Sequence, residues 1–273
     1  MNKITFEILK VGGHGRFVNT GRHHKMLYGY PYGGPMNQEF HNLANRILGN
    51  TPDLSTIESS LIPTTVKFHS KEQIVLTGAN HEWTLDNLPL AQNKSISVKP
   101  GQTLRGKPSR NYLRSYIGIQ GLNIPNILSS ALEKKQYLFE RSNILAENPE
   151  LELNHEDLKF PHEFPIKFGP EHYLLNQESK LKLLSYPFVL SSNMDRSGAQ
   201  LIGESLSMKC EINPNSVVNF PGVIQLLPNG QLIVLLNDAQ ITGGYPRIAF
   251  IPPNVLNSFN NLLPSGKGTL IFK

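Results

Sequence analysis

Cysteine is almost missing from this chain: 273 residues include one, Cys210. A single thiol cannot close an internal disulfide or build a multi-cysteine metal centre, which excludes a disulfide scaffold, a zinc cluster and a dithiol redox motif. Long apolar runs are missing as well. The clearest, Leu232 to Leu236, is far shorter than the ~20 residues of a spanning helix, so no membrane segment is expected. Basic tracts are also absent. Lys and Arg exceed Asp and Glu by 26 to 21, for a net charge of +5, but they are scattered. Without a run of about five to eight basic residues or a base-reading motif, no nucleic-acid partner is expected.

What remains describes a globular chain. At 39% hydrophobic and 17% charged, it can bury one large core or two small ones. Its 22 glycines and 20 prolines are spread along the sequence, which calls for many turns between short elements and favours β structure. The opening Lys3-Ile4-Thr5-Phe6-Glu7-Ile8 alternates apolar and polar residues; it reads as a first strand and not as a secretion signal, so a cytoplasmic address is expected.

Periodicity predicts a helix over Asn37 to Leu48, where Phe40, Leu43, Ala44 and Ile47 repeat at helical spacing, Asn37 can cap the start and Gly49 can end it. A shorter helix is predicted over Asn254 to Leu263, between Pro252-Pro253 and Pro264. Short strands are predicted at Ile74–Thr77, Ser95–Val98 and Ser115–Ile119, each ending in turn formers. Val223 to Leu227 and Gln231 to Leu236 flank Pro228-Asn229-Gly230, so a hairpin is expected there with Asn-Gly supplying the positive φ. Thr269 to Phe272 is expected to form a last strand. The region Glu133 to Asp157 is polar and weakly periodic, and a domain boundary is placed near Pro161-His162-Glu163-Phe164-Pro165, giving domains at 1–160 and 161–273.

Familiar chemical motifs do not fit. His23-His24 would point to opposite sides of a strand, and no His-Glu-x-x-His occurs among the nine histidines. Gly12-Gly13-His14-Gly15-Arg16 lacks dinucleotide spacing, Gly266-Lys267-Gly268-Thr269 lacks the first glycine of a phosphate loop, and no Gly-x-Ser-x-Gly is present. What does concentrate is polarity at the end of an apolar strand. Asp238, Gln240, Thr242, Gly243-Gly244, Tyr245 and Pro246 follow Leu232–Leu236. Donors, acceptors and a charge are grouped where glycines let a ligand approach the backbone, which is the rim of a pocket or, equally, a satisfied turn. Asp195-Arg196 reads as a pocket ion pair or a local turn clamp, and Arg22 and Glu58 as single charges near core segments.

The order Gly21-Arg22, Gly33-Gly34-Pro35-Met36-Asn37, Ala44-Asn45, Leu48-Gly49-Asn50, Ile57-Glu58 and Leu76-Thr77-Gly78-Ala79 resembles the opening half of the biotin-dependent carboxyltransferase family. Its members include allophanate hydrolase subunit 2, the Kip-type antagonist and the C subunit of bacterial ATP-dependent 5-oxoprolinase. Arg114-Ser115-Tyr116, Phe168-Gly169-Pro170, Arg196-Ser197-Gly198 and the stretch Asp238-x-Gln240-x-Thr242-Gly243-Gly244-Tyr245-Pro246 extend the resemblance over nearly the whole chain.

The resemblance implies a mainly β fold of two cyclophilin-like β-barrel domains with a few short helices. It implies a hydrolase subunit of hetero-oligomeric type, opening the amide ring of 5-oxoproline to glutamate with a Kip-type B component and a TIM-barrel-like A component. ATP would be consumed at the level of the complex; biotin is not attached to this chain. On this reading Asp238, Gln240 and Thr242 are the catalytic candidates, Asp238 as acid/base or orienting group. Arg22, Glu58, Arg196, Gln225, Gly243, Gly244 and Tyr245 would bind a small-molecule amide. Two alternatives stay open: a non-catalytic regulator of a Kip-type protein, and carboxyl transfer to a urea-like nitrogen. Asn19, Asn37 and Gln200 stand where the family carries two carboxylates and an arginine, and an amide exchanges no proton near neutral pH.

Overall fold

The computed structural model describes residues 3–125, 131–142, 163–209, 215–264 and 269–270. It is mainly β. Contacts divide the chain into two compact units, Met1–Thr20 with Asn37–Lys159, and Gly21–Met36 with Phe160–Lys273. The second unit thus takes an early segment of the chain as well as the late one, which a single cut between 160 and 161 does not convey.

In the first unit the strands are β1 (Lys3–Lys10), β2 (Arg16–Val18), β3 (Thr56–Ser60), β4 (Thr65–Phe68), β5 (Glu72–Gly78), β6 (Thr84–Leu85), β7 (Leu88–Pro89), β8 (Ile96–Val98), β9 (Thr103–Arg105), β10 (Arg114–Ile119) and β11 (Gln136–Glu140). They form two sheets, in the orders β11-β1-β4-β9-β6-β7 and β2-β3-β10-β5-β8. No described pairing closes either into a ring. Strict alternation in β1 sends Ile4, Phe6 and Ile8 inward to meet Ile57, Ile74, Leu76, Ile117 and Ile119 from the other sheet in one core. The outer face of that second sheet is covered by α1 (Gln38–Ile47), through Leu43, Ala44, Ile47 and Leu48 against Val75. Strand β10 is therefore buried along its whole length. The cap expected for α1 is present, Asn37 Oδ1 accepting the Phe40 N–H at 3.0 Å.

The second unit holds β12 (Lys167–Phe168), α2 (Gln177–Ser185), β13 (Phe188–Met194), β14 (Gly198–Ile202), β15 (Val217–Val218), β16 (Val223–Leu226), β17 (Leu232–Leu235), β18 (Thr242–Gly243), β19 (Arg247–Phe250), α3 (Pro253–Phe259) and β20 (Thr269–Leu270). Seven of these strands make one sheet, β12-β19-β16-β17-β14-β13-β20, and β15 pairs with β18 beside it. Its core gathers Phe188, Leu190, Leu201, Ile224, Val234, Ile248 and Phe259, among others.

Several expectations are refined. The β16–β17 hairpin exists, with Leu226 opposite Leu232. Its connection runs from Leu227 to Gln231, closed by Leu227 N–H to the Gln231 carbonyl at 2.8 Å, and only Gly230 has positive φ, at 81°. The expected helix 254–263 ends at Phe259, with Asn260 as its C-cap and the Asn260 side-chain amide donating to the Met36 carbonyl at 2.6 Å. His23-His24 lie in a 3-10 turn, His23–Tyr28, and not in a strand. Strand β11 emerges inside the weakly periodic region; its signal is the pair Tyr137 and Phe139, whose rings pack against Phe6 with centroids 5.6 and 6.0 Å away. Helix α2 had no usable signal, since Leu183 is buried while Leu181 and Leu184 face outward. Of the last expected strand, Thr269–Leu270 is seen; its remaining residues, the stretch Gly266-Lys267-Gly268, Cys210 and most of 133–157 lie outside the described residues.

Candidate functional site

The end of β17 releases the chain from the core, and Asp238 is fixed there by its own N–H donating to the Arg196 carbonyl at 2.8 Å. Its carboxylate then accepts Arg196 Nε at 2.9 Å and Nη2 at 3.3 Å. Arg22 Nη2 stands 3.9 Å from the same group. Arg196 is only 3% exposed, and it leaves the turn between β13 and β14 that Asp195 organises by accepting the Ser197 and Gly198 N–H groups at 2.7 and 3.1 Å. Of the two readings of Asp195-Arg196, Asp195 supplies the turn clamp, while Arg196 bridges to Asp238. A charge-assisted pair this sheltered holds its geometry firmly.

Arg196 Nη2 also donates to the Gly34 carbonyl at 2.6 Å. Asn237 reaches the same early segment, its Nδ2 donating to Pro35 O at 2.8 Å while its carbonyl accepts the Gly33 N–H at 2.8 Å. Arg22 lies flat against Gly33: a Cβ there would sit 2.9 Å from Nη2 and 3.0 Å from Nε. The Gly21-Arg22 and Gly33-Gly34-Pro35 signatures and the Asp238 stretch, far apart in sequence, thus belong to one cluster within the second unit.

A second group surrounds β18. Gln225, 1% exposed on β16, donates Nε2 to Asn219 Oδ1 at 3.2 Å and to the Tyr245 carbonyl at 3.5 Å. Asn219, also 1% exposed, donates its backbone N–H to Ile241 O at 2.8 Å. The space a Gly243 side chain would need is filled by Asn219 Nδ2 at 2.7 Å, Gln225 Nε2 at 3.4 Å and Gln240 Nε2 at 3.5 Å. Gly243 is glycine because amides back it, which differs from the expectation that it leaves room for a ligand. Gln240, Thr242, Gly244 and Tyr245 present themselves to solvent, Tyr245 at 43% exposure.

Sequence reading missed Asn219 and the pair Glu171–Arg247. Arg247 grips Glu171 with Nε and Nη2 at 2.9 and 2.7 Å and sends Nη1 to Val218 O at 3.0 Å. The guanidinium holds the Glu171 carboxyl below its ordinary range, and the pair anchors β15 next to Asn219. Neither residue stands in a motif that spacing could reveal.

Glu58 belongs to the first unit and is fully buried. Tyr116 donates its hydroxyl to Glu58 Oε2 at 2.8 Å and accepts the Asn37 N–H at 2.8 Å. Burial and the neighbouring Glu58 charge push the phenol well above its usual range, so Tyr116 stays protonated and links Glu58 to the start of α1. Asn37 works there as a helix cap. Gln200 joins an amide cluster with Asn193 and Gln231. Among the described residues no three His, Cys, Asp or Glu side chains are gathered closely enough to hold a metal ion, and no helix is long and apolar enough to cross a membrane.

The arrangement of two sheet-based units with these signatures defines a carboxyltransferase-type domain: residues 28–267 match the family model for the carboxyltransferase domain, subdomain A and B, and the chain belongs to that family. It is 29% identical to the C subunit of 5-oxoprolinase from Escherichia coli K12 over 259 residues, covering 90% of this chain and 84% of the relative. The corresponding subunit of Haemophilus influenzae is 27% identical over 256 residues, covering 89% and 83%. Among solved structures, the Kluyveromyces lactis urea carboxylase superposes with a TM-score of 0.88 at 22% identity, over all of this chain and 27% of that one. The urea amidolyase of the same yeast gives 0.86 at 22%, over 100% and 19%.

Proposed function

We propose that this chain is the counterpart of the C subunit in an ATP-dependent 5-oxoprolinase, acting with a Kip-type B component and a TIM-barrel-like A component. The observation that carries the reading is the Arg22–Asp238–Arg196 cluster, built from the signature segments of a chain 29% identical to the C subunit of a 5-oxoprolinase along 90% of its length. Opening the lactam adds the oxygen of water to the carbonyl carbon and breaks the C–N bond, the nitrogen taking up a proton. Arg22, with its neighbour Arg196, suits the substrate carboxylate, and the exposed Gln240, Thr242 and Tyr245 supply donors for the lactam oxygen. Asp238, held by two guanidiniums, orients them. ATP is consumed by the complex, and no step is assigned to it in this chain; biotin is not attached here. The cytoplasm is the compartment in which we place it.

Reconstitution with the homologous A and B components from the same source tests this. Glutamate should form from 5-oxoproline and ATP; Asp238→Asn should lower the rate at least tenfold, as should Tyr245→Ala, whose exposed side chain leaves the fold intact. Absence of glutamate with all three wild-type proteins rejects the reading. The engagement of Asp238 by arginine also favours a second reading, a non-catalytic partner of a Kip-type protein; tight binding to that protein unchanged by Asp238→Asn, without turnover, would select it.

A further inference from the structure

Segment Gly21–Met36 of the second unit is firmly tied at its base and bare at its tip. At the base, Arg22 N–H meets Tyr32 O at 2.7 Å and Gly33 N–H meets Asn237 O at 2.8 Å. Arg196 holds Gly34 O at 2.6 Å, Asn237 holds Pro35 O at 2.8 Å and Asn260 holds Met36 O at 2.6 Å. The tip is the 3-10 turn His23–Tyr28, ended by Gly29 at φ 85° with its N–H on Met26 O at 2.9 Å. There Leu27 is 97% exposed, Tyr28 79% and Tyr30 38%.

Single exposed apolar residues are ordinary, but three within four positions on a tied protrusion form a contiguous apolar point. Its charge is one-sided: no Asp or Glu occurs in the segment Gly21–Met36, while Lys25 adjoins Leu27 and Tyr28. A fixed base removes the ordering cost that a loose loop would meet on binding, and tyrosine is among the residue types that anchor protein interfaces. A lipid surface would be met by a longer basic apolar face, and a nucleic acid by several arginines or lysines; one lysine suits a local carboxylate rim.

We propose that the Leu27–Tyr30 tip is a docking point that inserts into an apolar pocket, rimmed by carboxylates, on another protein of the complex. The inference rests on the functional reading above. Its test is the dissociation constant for assembly with the homologous A and B components, measured by calorimetry on the full chain. Leu27→Ser/Tyr28→Ser removes side chains exposed enough for the fold to survive, and should weaken assembly at least tenfold. Lys25→Glu should weaken it at least threefold at low salt, with the difference shrinking at 0.5 M salt. Assembly within twofold of wild type for the double variant overturns the docking point while leaving the functional reading intact. Absence of assembly by the wild type overturns both. Binding to anionic phospholipid vesicles or duplex DNA that the double variant loses, with the assembly constant unchanged, reassigns the tip and overturns the proposal.

Discussion

Gly243 and Asp238 stand five residues apart and are held for different reasons. Three amide nitrogens occupy the space beside Gly243, the nearest, Asn219 Nδ2, 2.7 Å from where a Cβ would sit, and Asn219 with Gln225 is buried. Gly243→Ala forces that amide or β18 to shift, a packing change of about 1–3 kcal/mol. Urea unfolding should show the loss, and an unchanged midpoint would mean that β18 yields freely. Asp238 needs no such space; it needs charge, because its carboxylate accepts at 2.9 Å from the guanidinium of Arg196, which is 3% exposed. The grouping of Asp238, Gln240, Thr242 and Gly243 is legible in the sequence because they are neighbours in it. The role of Asn219 is not, for its amide acquires meaning only from Gln225 and Gly243 across the sheet.

Helix α1 shows how an element absorbs residues that read as functional. Its N-terminus is served twice, by Asn37 Oδ1 on Phe40 N–H at 3.0 Å and by Tyr116 on the Asn37 N–H at 2.8 Å, with Glu58 behind the phenol. An Asp caps as well as an Asn on an exposed helix end, but position 37 is fully buried beside the Tyr116–Glu58 pair, so Asn37→Asp should lower the melting temperature by burying a second carboxylate, while Asn37→Ala should cost about 1 kcal/mol. If Asn37→Ala melts like wild type, the cap contributes nothing. The amide at position 37 thus caps the helix without placing a charge in the interior. Helices and strands with one-sided patterns, α1 and β1, follow from periodicity. Helix α2, apolar on opposing sides, and the segment His23–Tyr28 do not, because their shape is set by what packs against them.

For the whole molecule, acid sensitivity should arise in part from histidines buried neutral in the first unit. His81 bonds Lys107 O at 2.8 Å and Ser115 Oγ at 2.9 Å, and burial lowers its pKa to about 4; burial lowers His41 likewise. An unfolded histidine takes its proton near pH 6.5, so the unfolded chain gains protons first as the pH falls. The stability His81 contributes is complete above about pH 6.5 and drains away toward pH 4, by at most about 1.4 kcal/mol per pH unit. Urea midpoints at pH 7.5 and 5 should differ more in wild type than in His81→Asn, and equal differences would remove His81 from the account. The sequence by itself determined that this is a β-rich chain with a single cysteine and no apolar run long enough for a spanning helix, where many of its turns lie, and which stretches carry the family signature, because each of these is written in neighbouring residues. Tertiary structure alone decided which polar group meets which: Asp238 finds Arg196 across 42 positions, and Glu58 goes to Tyr116 across 58. Such pairings depend on long-range strand order, and no local pattern encodes it.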